Sequence, residues 1–160
     1  MKTILLATDG SPSAAKATST AIELAQTTGW DLHVVTAWTI PVSTYGFAPM
    51  TYVPDVTDAE RERAREVLDE AVEAARVAGL EPTFELRQGP PADKICEAAE
   101  DTSAALVVLG AHGWGAVKRL IFGSVSSAVL HHAPCPVLVV RADSAAVEPA
   151  LAGAGSTTAS

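Results

Sequence analysis

The sequence predicts an α/β fold in which helices cover both faces of one parallel β-sheet. Short apolar runs of strand length alternate along the chain with segments whose apolar residues recur at helical spacing. Strands joined in this way by helices run parallel and carry helices on both sides, which gives three layers. With 160 residues, the chain is long enough for one domain with a substantial core.

The first elements have clear ends. Thr3 to Ala7 is an apolar run that reads as a buried strand, and Ser11 followed by proline predicts the start of a helix that stops at Gly29. Asp31 to Trp38 is rich in β-branched residues and predicts the second strand. Thr39 to Val56 contains several prolines and no regular period, so we expect a long loop.

The second half of the chain continues the alternation. A capping-box pattern, Thr57-Asp58-Ala59-Glu60, predicts that the next helix starts at Thr57 and stops at Gly79. The remaining expected elements are a strand at Thr83 to Arg87, a helix at Ala92 to Thr102, a strand at Ala104 to Leu109, a helix at Val125 to His132 and a strand at Pro136 to Val140.

Composition limits the classes of function. Eleven Lys and Arg against 19 Asp and Glu give a net charge of −8, which disfavours an extended nucleic acid or an anionic membrane as a partner. Cys96 and Cys135 are too few for a disulfide framework, and the apolar start of the chain is too short for a signal peptide or a membrane span. We therefore expect a cytoplasmic protein. The residues at 143–160 are rich in Ala, Gly and Ser, which predicts a disordered tail after a domain at 1–142.

A glycine-rich stretch, Gly110 to Ser124, follows the fourth strand and leads into a helix. Glycines let backbone N–H groups approach an anion closely, and a helix N-terminus adds further donors, so the stretch has the layout of a phosphate-binding turn. Asp9 ends the first strand, and if the first and fourth strands are neighbours, the two loops converge. Asp9 would then bind ribose hydroxyls or Mg²⁺, opposite the glycines.

Individual side chains of this stretch admit more than one role. Ser124 is expected to cap the last helix and to offer its hydroxyl to phosphate, with Ser126 as a second hydroxyl on the first turn. His112 either contacts phosphate or is a plain loop residue, and Trp114 either stacks over a ligand or, as we prefer, packs on a partner. Lys118 and Arg119 are phosphate neighbours or solvated, and His131 with His132 suits a helix C-terminus better than a metal.

Neither common nucleotide fingerprint is present. The Gly-x-Gly-x-x-Gly pattern does not follow the first strand, and the stretch from Gly110 lacks the Gly-Lys-Ser/Thr ending of a P-loop. Instead, Gly110-x2-Gly113-x9-Gly123-Ser124 resembles the signature of the ATP-binding branch of the universal stress protein family. The resemblance extends over nearly the whole chain, including Ile4 to Ser11 and Pro134 to Val140.

This resemblance implies a Rossmann-like, five-stranded parallel sheet in the order 3-2-1-4-5, with ATP at the junction of strands one and four. It also implies a homodimer through Val137–Arg141. The last strand, Pro136 to Val140, is apolar and β-branched, as an edge that pairs with another chain would be. The site residues implied are Ala7, Asp9, Ala37, Gly110, His112, Gly113, Gly123, Ser124, Val125 and Ser126.

The leading interpretation is a nucleotide-dependent regulatory module of the stress response that binds ATP, with Mg²⁺, and hydrolyses it slowly at most. Asp9 is the only carboxylate near the expected site, and as a ribose or metal ligand it is not poised to activate water, so no catalytic residue is assigned. The alternatives are an ATP- or adenylate-using group-transfer enzyme on the same fold, and a protein in which the dimer interface and loop matter while the nucleotide is vestigial.

Overall fold

The computed structural model describes residues 1–40, 54–114 and 122–142. Most of the loop predicted at Thr39 to Val56, the pair Lys118 and Arg119, and the predicted tail at 143–160 lie outside the described residues. The elements within them are β1 Thr3–Ala7, α1 Pro12–Thr28, β2 Asp31–Trp38, α2 Pro54–Val77, β3 Thr83–Gln88, α3 Pro91–Asp101, β4 Leu106–Gly110, α4 Ser124–His132 and β5 Val137–Val140.

The strands form one five-stranded parallel sheet in the order β3-β2-β1-β4-β5, as the sequence predicts. β1 is the central strand, and Ile4, Leu5 and Leu6 have no exposed surface, which suits an apolar run without alternation. Ala7 is level with Val35 of β2 and with Leu109 of β4. β1 and β4 therefore end close together at one edge of the sheet, and β2 continues past them to Trp38.

Two separate cores cover the two faces of the sheet and confirm the three layers. Because successive strand residues point to opposite faces, Ile4 and Leu6 pack with residues of α1 and α2, whereas Leu5 and Ala7 pack with residues of α3 and α4. Leu68 of α2 belongs to the same core as Ile4 and Leu6, and it is 1% exposed.

Helix α1 starts and stops as predicted, and α2 does not. The Ser11 hydroxyl accepts a hydrogen bond from the Ala14 N–H at 3.4 Å, and Gly29 ends the helix in the left-handed conformation, with φ of 69°. The capping box at Thr57 is wrong, because α2 already begins at Pro54 and Thr57 lies within the helix. Proline is well suited to the first helical position, since its fixed φ is helical and its missing N–H has no partner there.

Several predicted ends are shifted by one or two residues. β4 begins at Leu106 rather than Ala104, because the chain before it passes through Ser103 with a positive φ of 49°. β5 begins after Pro136, although the carbonyl of Pro136 already accepts the Val107 N–H at 3.0 Å. α3 spans Pro91–Asp101, one residue earlier at each end than expected.

Ion pairs fasten α3 to the outer strand β3. The Arg87 guanidinium lies 2.8 Å from Glu85 on its own strand and 2.7 Å from Asp101 at the end of α3. Burial alone would lower the pKa of Arg87, but hydrogen bonds and charge attraction from these two carboxylates raise it above its ordinary value. This pairing fixes the position of α3, whose N-terminal end borders the candidate site.

Candidate functional site

A cavity of about 350 Å³ opens at the shared C-terminal edge of β1, β2 and β4. The reversal of strand order beside β1 leaves this crevice, since the loops after β1 and β4 leave toward different helices. The ten residues that the family resemblance implies all lie on the wall of this one cavity: Ala7, Asp9, Ala37, Gly110, His112, Gly113, Gly123, Ser124, Val125 and Ser126.

The cavity has an apolar side and a polar side. On the β2 side it is lined by Val35, Ala37 and two residues of α3, Pro91 and Ile95. On the β4 side it is lined by residues 110–113 and Gly123, the described parts of the glycine loop, and by the first turn of α4. An apolar slot that continues into a cluster of backbone donors fits a ligand with a flat, weakly polar end and an anionic end.

Asp9 lies where the loops after β1 and β4 meet, as the sequence predicts. One carboxylate oxygen, Oδ1, accepts the Ser11 N–H at 2.9 Å. The other, Oδ2, faces the glycine loop, since a Cβ added to Gly113 would lie 2.9 Å from it. Trp114 joins the same two loops, because its indole Nε1 donates to the Asp9 carbonyl at 2.9 Å while its side chain remains 64% exposed.

The three glycines of the signature are required for different reasons. A Cβ on Gly110 would lie 2.7 Å from the backbone nitrogen of Ala14, so β4 and the first turn of α1 could not approach as they do. Among the described residues, a Cβ on Gly113 would meet the end of the Asp9 side chain alone. One on Gly123 would lie 3.3 Å from the Ala111 carbonyl, a closer contact than a side chain usually tolerates. Gly110 is therefore needed for packing, whereas Gly113 leaves room beside a carboxylate.

The predicted cap of α4 is wrong. Gly123 is the N-cap residue and Ser124 is the first helical residue, so the Ser124 side chain, which is exposed, does not cap. The first backbone bond of the helix runs from the Ser127 N–H to the Gly123 carbonyl. The N–H groups of Ser124, Val125 and Ser126 therefore precede the first intrahelical bond, as the leading N–H groups of any α-helix do, and they face the cavity end of α4.

Ser126 lines the cavity but its hydroxyl is already used. It is 3% exposed, and its Oγ lies 2.8 Å from the Ala111 carbonyl and 3.1 Å from the Gly123 carbonyl. The Gly123 N–H donates to the same Ala111 carbonyl at 2.8 Å. These bonds close the far end of the glycine loop onto α4, so we assign the Ser126 side chain to holding the loop and its N–H group to the cavity.

The charge of the cavity wall is small. Among the described residues that line it, Asp9 is the one carboxylate and His112 is the one other titratable side chain. No group of three or more His, Cys, Asp or Glu side chains that could hold a metal ion occurs in the described ranges. His131 and His132 are exposed at the end of α4, with ring centroids 6.4 Å apart. Among the described residues of the wall, the donors available to an anion are therefore mainly backbone N–H groups.

Sequence reasoning missed the contribution of α3. Pro91 and Ile95 line the apolar side, although nothing in their spacing distinguishes them from ordinary residues of a helix N-terminus and core. The signal that could have identified them is topological. A helix that follows a parallel strand begins at the C-terminal edge of the sheet, so its first two turns adjoin whatever crevice lies there.

Comparisons with known proteins identify the family and support the fold. Residues 1–141 match the model of the universal stress protein family. A universal stress protein of Thermus aquaticus is 42% identical over 140 residues, which cover 88% of this chain and 98% of that protein. A universal stress protein of Archaeoglobus fulgidus solved in complex with dAMP has a TM-score of 0.63 at 26% identity, over 88% of this chain and 97% of that one. A universal stress protein solved in complex with cAMP has a TM-score of 0.67 at 28% identity, over 89% of this chain and 98% of that one.

Proposed function

The chain belongs to the universal stress protein family, and from that premise we propose that it is an ATP-binding regulatory module of the stress response. The observation that carries the proposal is the meeting of Asp9 with the glycine loop at one cavity, beside the first turn of α4. Relatives of the same fold have been solved with dAMP and with cAMP. An adenine nucleotide therefore fits both the shape of this cavity and the family.

The adenine base would occupy the apolar side. The Val35 carbonyl accepts the Thr8 N–H at 3.1 Å, and the Trp38 carbonyl accepts the Gly89 N–H at 2.9 Å, so alternate residues of β2 direct their backbone groups toward β1 and toward β3. Ala37 is two residues beyond Val35 and therefore directs its N–H and carbonyl past the end of β1. The Ala37 N–H would donate to N1 of adenine, and the Ala37 carbonyl would accept a hydrogen bond from the adenine amino group.

The phosphates would lie on the polar side. The N–H groups of Ser124 and Val125 and those of the glycine loop offer donors without side-chain charge, and the positive end of the α4 dipole adds to them. Mg²⁺ keeps several waters and takes one or two carboxylates together with phosphate oxygens. Asp9, with Oδ2 directed at the loop, would hold the ribose or such an ion.

The same wall argues for holding ATP rather than consuming it. Hydrolysis at an ordinary enzymatic rate needs a group that activates water within hydrogen-bonding reach of the γ-phosphate. Asp9 is the one carboxylate on the described wall, and its Oδ1 is engaged by the Ser11 N–H. We therefore expect slow hydrolysis at most, with the bound nucleotide changing the conformation or the partners of the protein.

A homodimer through Val137–Arg141 completes the proposal. The carbonyls of Pro136 and Val140 accept N–H groups from the β4 side, so Val137 and Val139 direct their backbone groups outward. In the described part of the chain no strand pairs with that outer edge. An edge of this kind pairs readily with a second copy. Val139→Pro should give a monomer in sedimentation, because it removes an outward donor and leaves the β4 ladder intact; a variant that stays dimeric contradicts this interface.

Two further observations bear on where the protein works. The described helices include none long and apolar enough to cross a membrane. Cys96 and Cys135 are both free thiols, which is typical of proteins in the reducing cytoplasm, where we propose that this protein acts.

Calorimetric titration with Mg·ATP tests the proposed function. Asp9→Ala should weaken binding at least tenfold, the effect of losing one charge-assisted contact. Asp31→Ala is the matched control, since Asp31 is exposed at the opposite end of the sheet and should leave the affinity unchanged. Equal affinities for all three proteins, or turnover of many ATP molecules per second, would refute the proposal of a regulatory module that binds ATP through Asp9.

A further inference from the structure

Ser13, in the first turn of α1, holds the peptide on which the glycine loop turns. Its side chain is buried at 4% exposure, and its Oγ lies 2.5 Å from the His112 carbonyl and 3.2 Å from the His112 N–H. The Ser11 Oγ approaches the same carbonyl at 3.2 Å. Two buried hydroxyls thus converge on one carbonyl oxygen from the α1 side.

The orientation of this carbonyl determines where the next N–H group points. In a trans peptide the C=O and the following N–H point in opposite directions. Because Ser11 and Ser13 draw the His112 carbonyl toward α1, the Gly113 N–H is directed away from α1. Helix α4 lies on that side. Its N-cap residue is Gly123, and a Cβ added to Gly123 would lie 3.9 Å from the Gly113 nitrogen. The Gly113 N–H therefore faces the polar side of the cavity.

The contact between Ser13 and the loop leaves little freedom. A Cβ on Gly110 would come within 2.6 Å of the Ser13 Oγ, so β4 and the first turn of α1 are already in close contact without a side chain between them. Ser13 is fixed by the helix on one side and by β4 on the other. A donor held this firmly before binding loses little entropy when the ligand arrives.

We propose that Ser13 is a positioning residue that presets the Gly113 N–H for a phosphate group of the bound nucleotide. The inference rests on the proposed function and names a residue outside the glycine signature. Ser13 itself touches no ligand, because its hydroxyl is turned toward the His112 backbone. A merely structural serine would act on the stability of the fold, whereas a positioning serine acts on the phosphate end of the ligand alone.

The test compares Mg·ATP with adenosine, which has the same base and ribose and no phosphate. Ser13→Ala should weaken ATP binding roughly tenfold, the change expected when one charge-assisted hydrogen bond loses its alignment, and adenosine binding less than about twofold. Ser19→Ala is the control, because Ser19 is exposed on the same helix and its hydroxyl reaches only the Ala15 carbonyl, at 3.4 Å.

The outcomes separate this inference from the proposed function. If the wild type binds ATP and Ser13→Ala binds it equally well, or loses ATP and adenosine to the same extent, the positioning role is overturned and the proposed function stands. If the wild type binds neither ligand, the proposed function is refuted and this inference with it. Should Ser13→Ala fail to fold, Ser11→Ala removes the second hydroxyl on the same carbonyl, and a loss confined to ATP is then the expected result.

Discussion

The same substitution should have different effects on the two glycines of the Gly110-x2-Gly113 pattern. Gly110→Ala should lower the thermal stability, whereas Gly113→Ala should lower the affinity for nucleotide. In Gly110→Ala the new Cβ would lie 2.7 Å from backbone atoms of Ser13 and Ala14, which cannot move without displacing α1. Overpacking of this kind costs about 1–3 kcal/mol. For a chain of this size each kcal/mol lowers Tm by about 2–4 °C, so we expect a fall of roughly 2–12 °C.

Gly113→Ala should leave stability nearly unchanged and weaken binding. Its Cβ would meet the Asp9 Oδ2, which is 2.9 Å away at the end of a flexible side chain and is the one atom of the described chain within contact distance. Rotation of that carboxylate relieves the contact, so we expect a change in Tm of less than about 4 °C, because less than about 1 kcal/mol is at stake. Displacement of Asp9 should lower the affinity for Mg·ATP about tenfold.

Thermal unfolding without ligand and calorimetric titration with Mg·ATP measure the two effects separately. Gly29→Ala is the control: its φ of 69° is unfavourable for alanine, but no atom of the described residues lies within 4 Å of the added Cβ. It should cost about 1 kcal/mol of stability and leave the affinity unchanged. The reasoning is refuted if Gly113→Ala unfolds as early as Gly110→Ala, or if Gly113→Ala binds ATP as well as the wild type.

Three further predictions concern groups beside the cavity and on β3. Ser126→Ala should lower the free energy of unfolding by about 1 kcal/mol, since it removes a buried donor from the Ala111 carbonyl; an unchanged urea midpoint would contradict this. Burial raises the pKa of the Cys96 and Cys135 thiols above the ordinary 9.0, so their alkylation should be slow at pH 8 and accelerate above pH 9. Because the unfolded chain loses these protons at lower pH than the folded protein does, the free energy of unfolding should fall as pH rises above 9. Alkylation as fast as that of a peptide thiol would refute this. Arg87→Leu leaves Glu85 on β3 and Asp101 on α3 without their shared cation. It should lower the free energy of unfolding in urea by about 1–2 kcal/mol. A more stable variant would show that the ion pairs do not hold α3.

The strands were predictable because their signal is local. A run such as Thr3–Ala7 or Asp31–Trp38 is apolar or β-branched throughout and is bounded by turn residues, and both strands have the predicted ends. The start of α2 was not predictable in the same way. The capping box at Thr57 and the proline at Pro54 are both local start signals, and the sequence does not say which one the chain uses.

The site was predictable as a set of residues and less so as a set of roles. The glycine pattern and Asp9 identified the cavity wall because backbone approach to an anion requires particular residue types at particular places. Gly110 was interpreted as a phosphate residue, yet its lack of a Cβ is explained by the close packing of α1. Ser13 gave no signal at all, since a serine in the first turn of a helix is common and its contact with His112 joins residues 99 apart in sequence.

The central claim is that the cavity between Asp9 and the glycine loop holds ATP, and mass spectrometry of the small molecules released from the purified protein tests it most directly. We predict that denatured wild-type protein releases ATP and that Gly113→Val, purified in parallel and equally folded, releases none. Wild-type protein that releases no adenine nucleotide and takes none up from added Mg·ATP, or a Gly113→Val variant that retains as much ATP as the wild type, would contradict the claim.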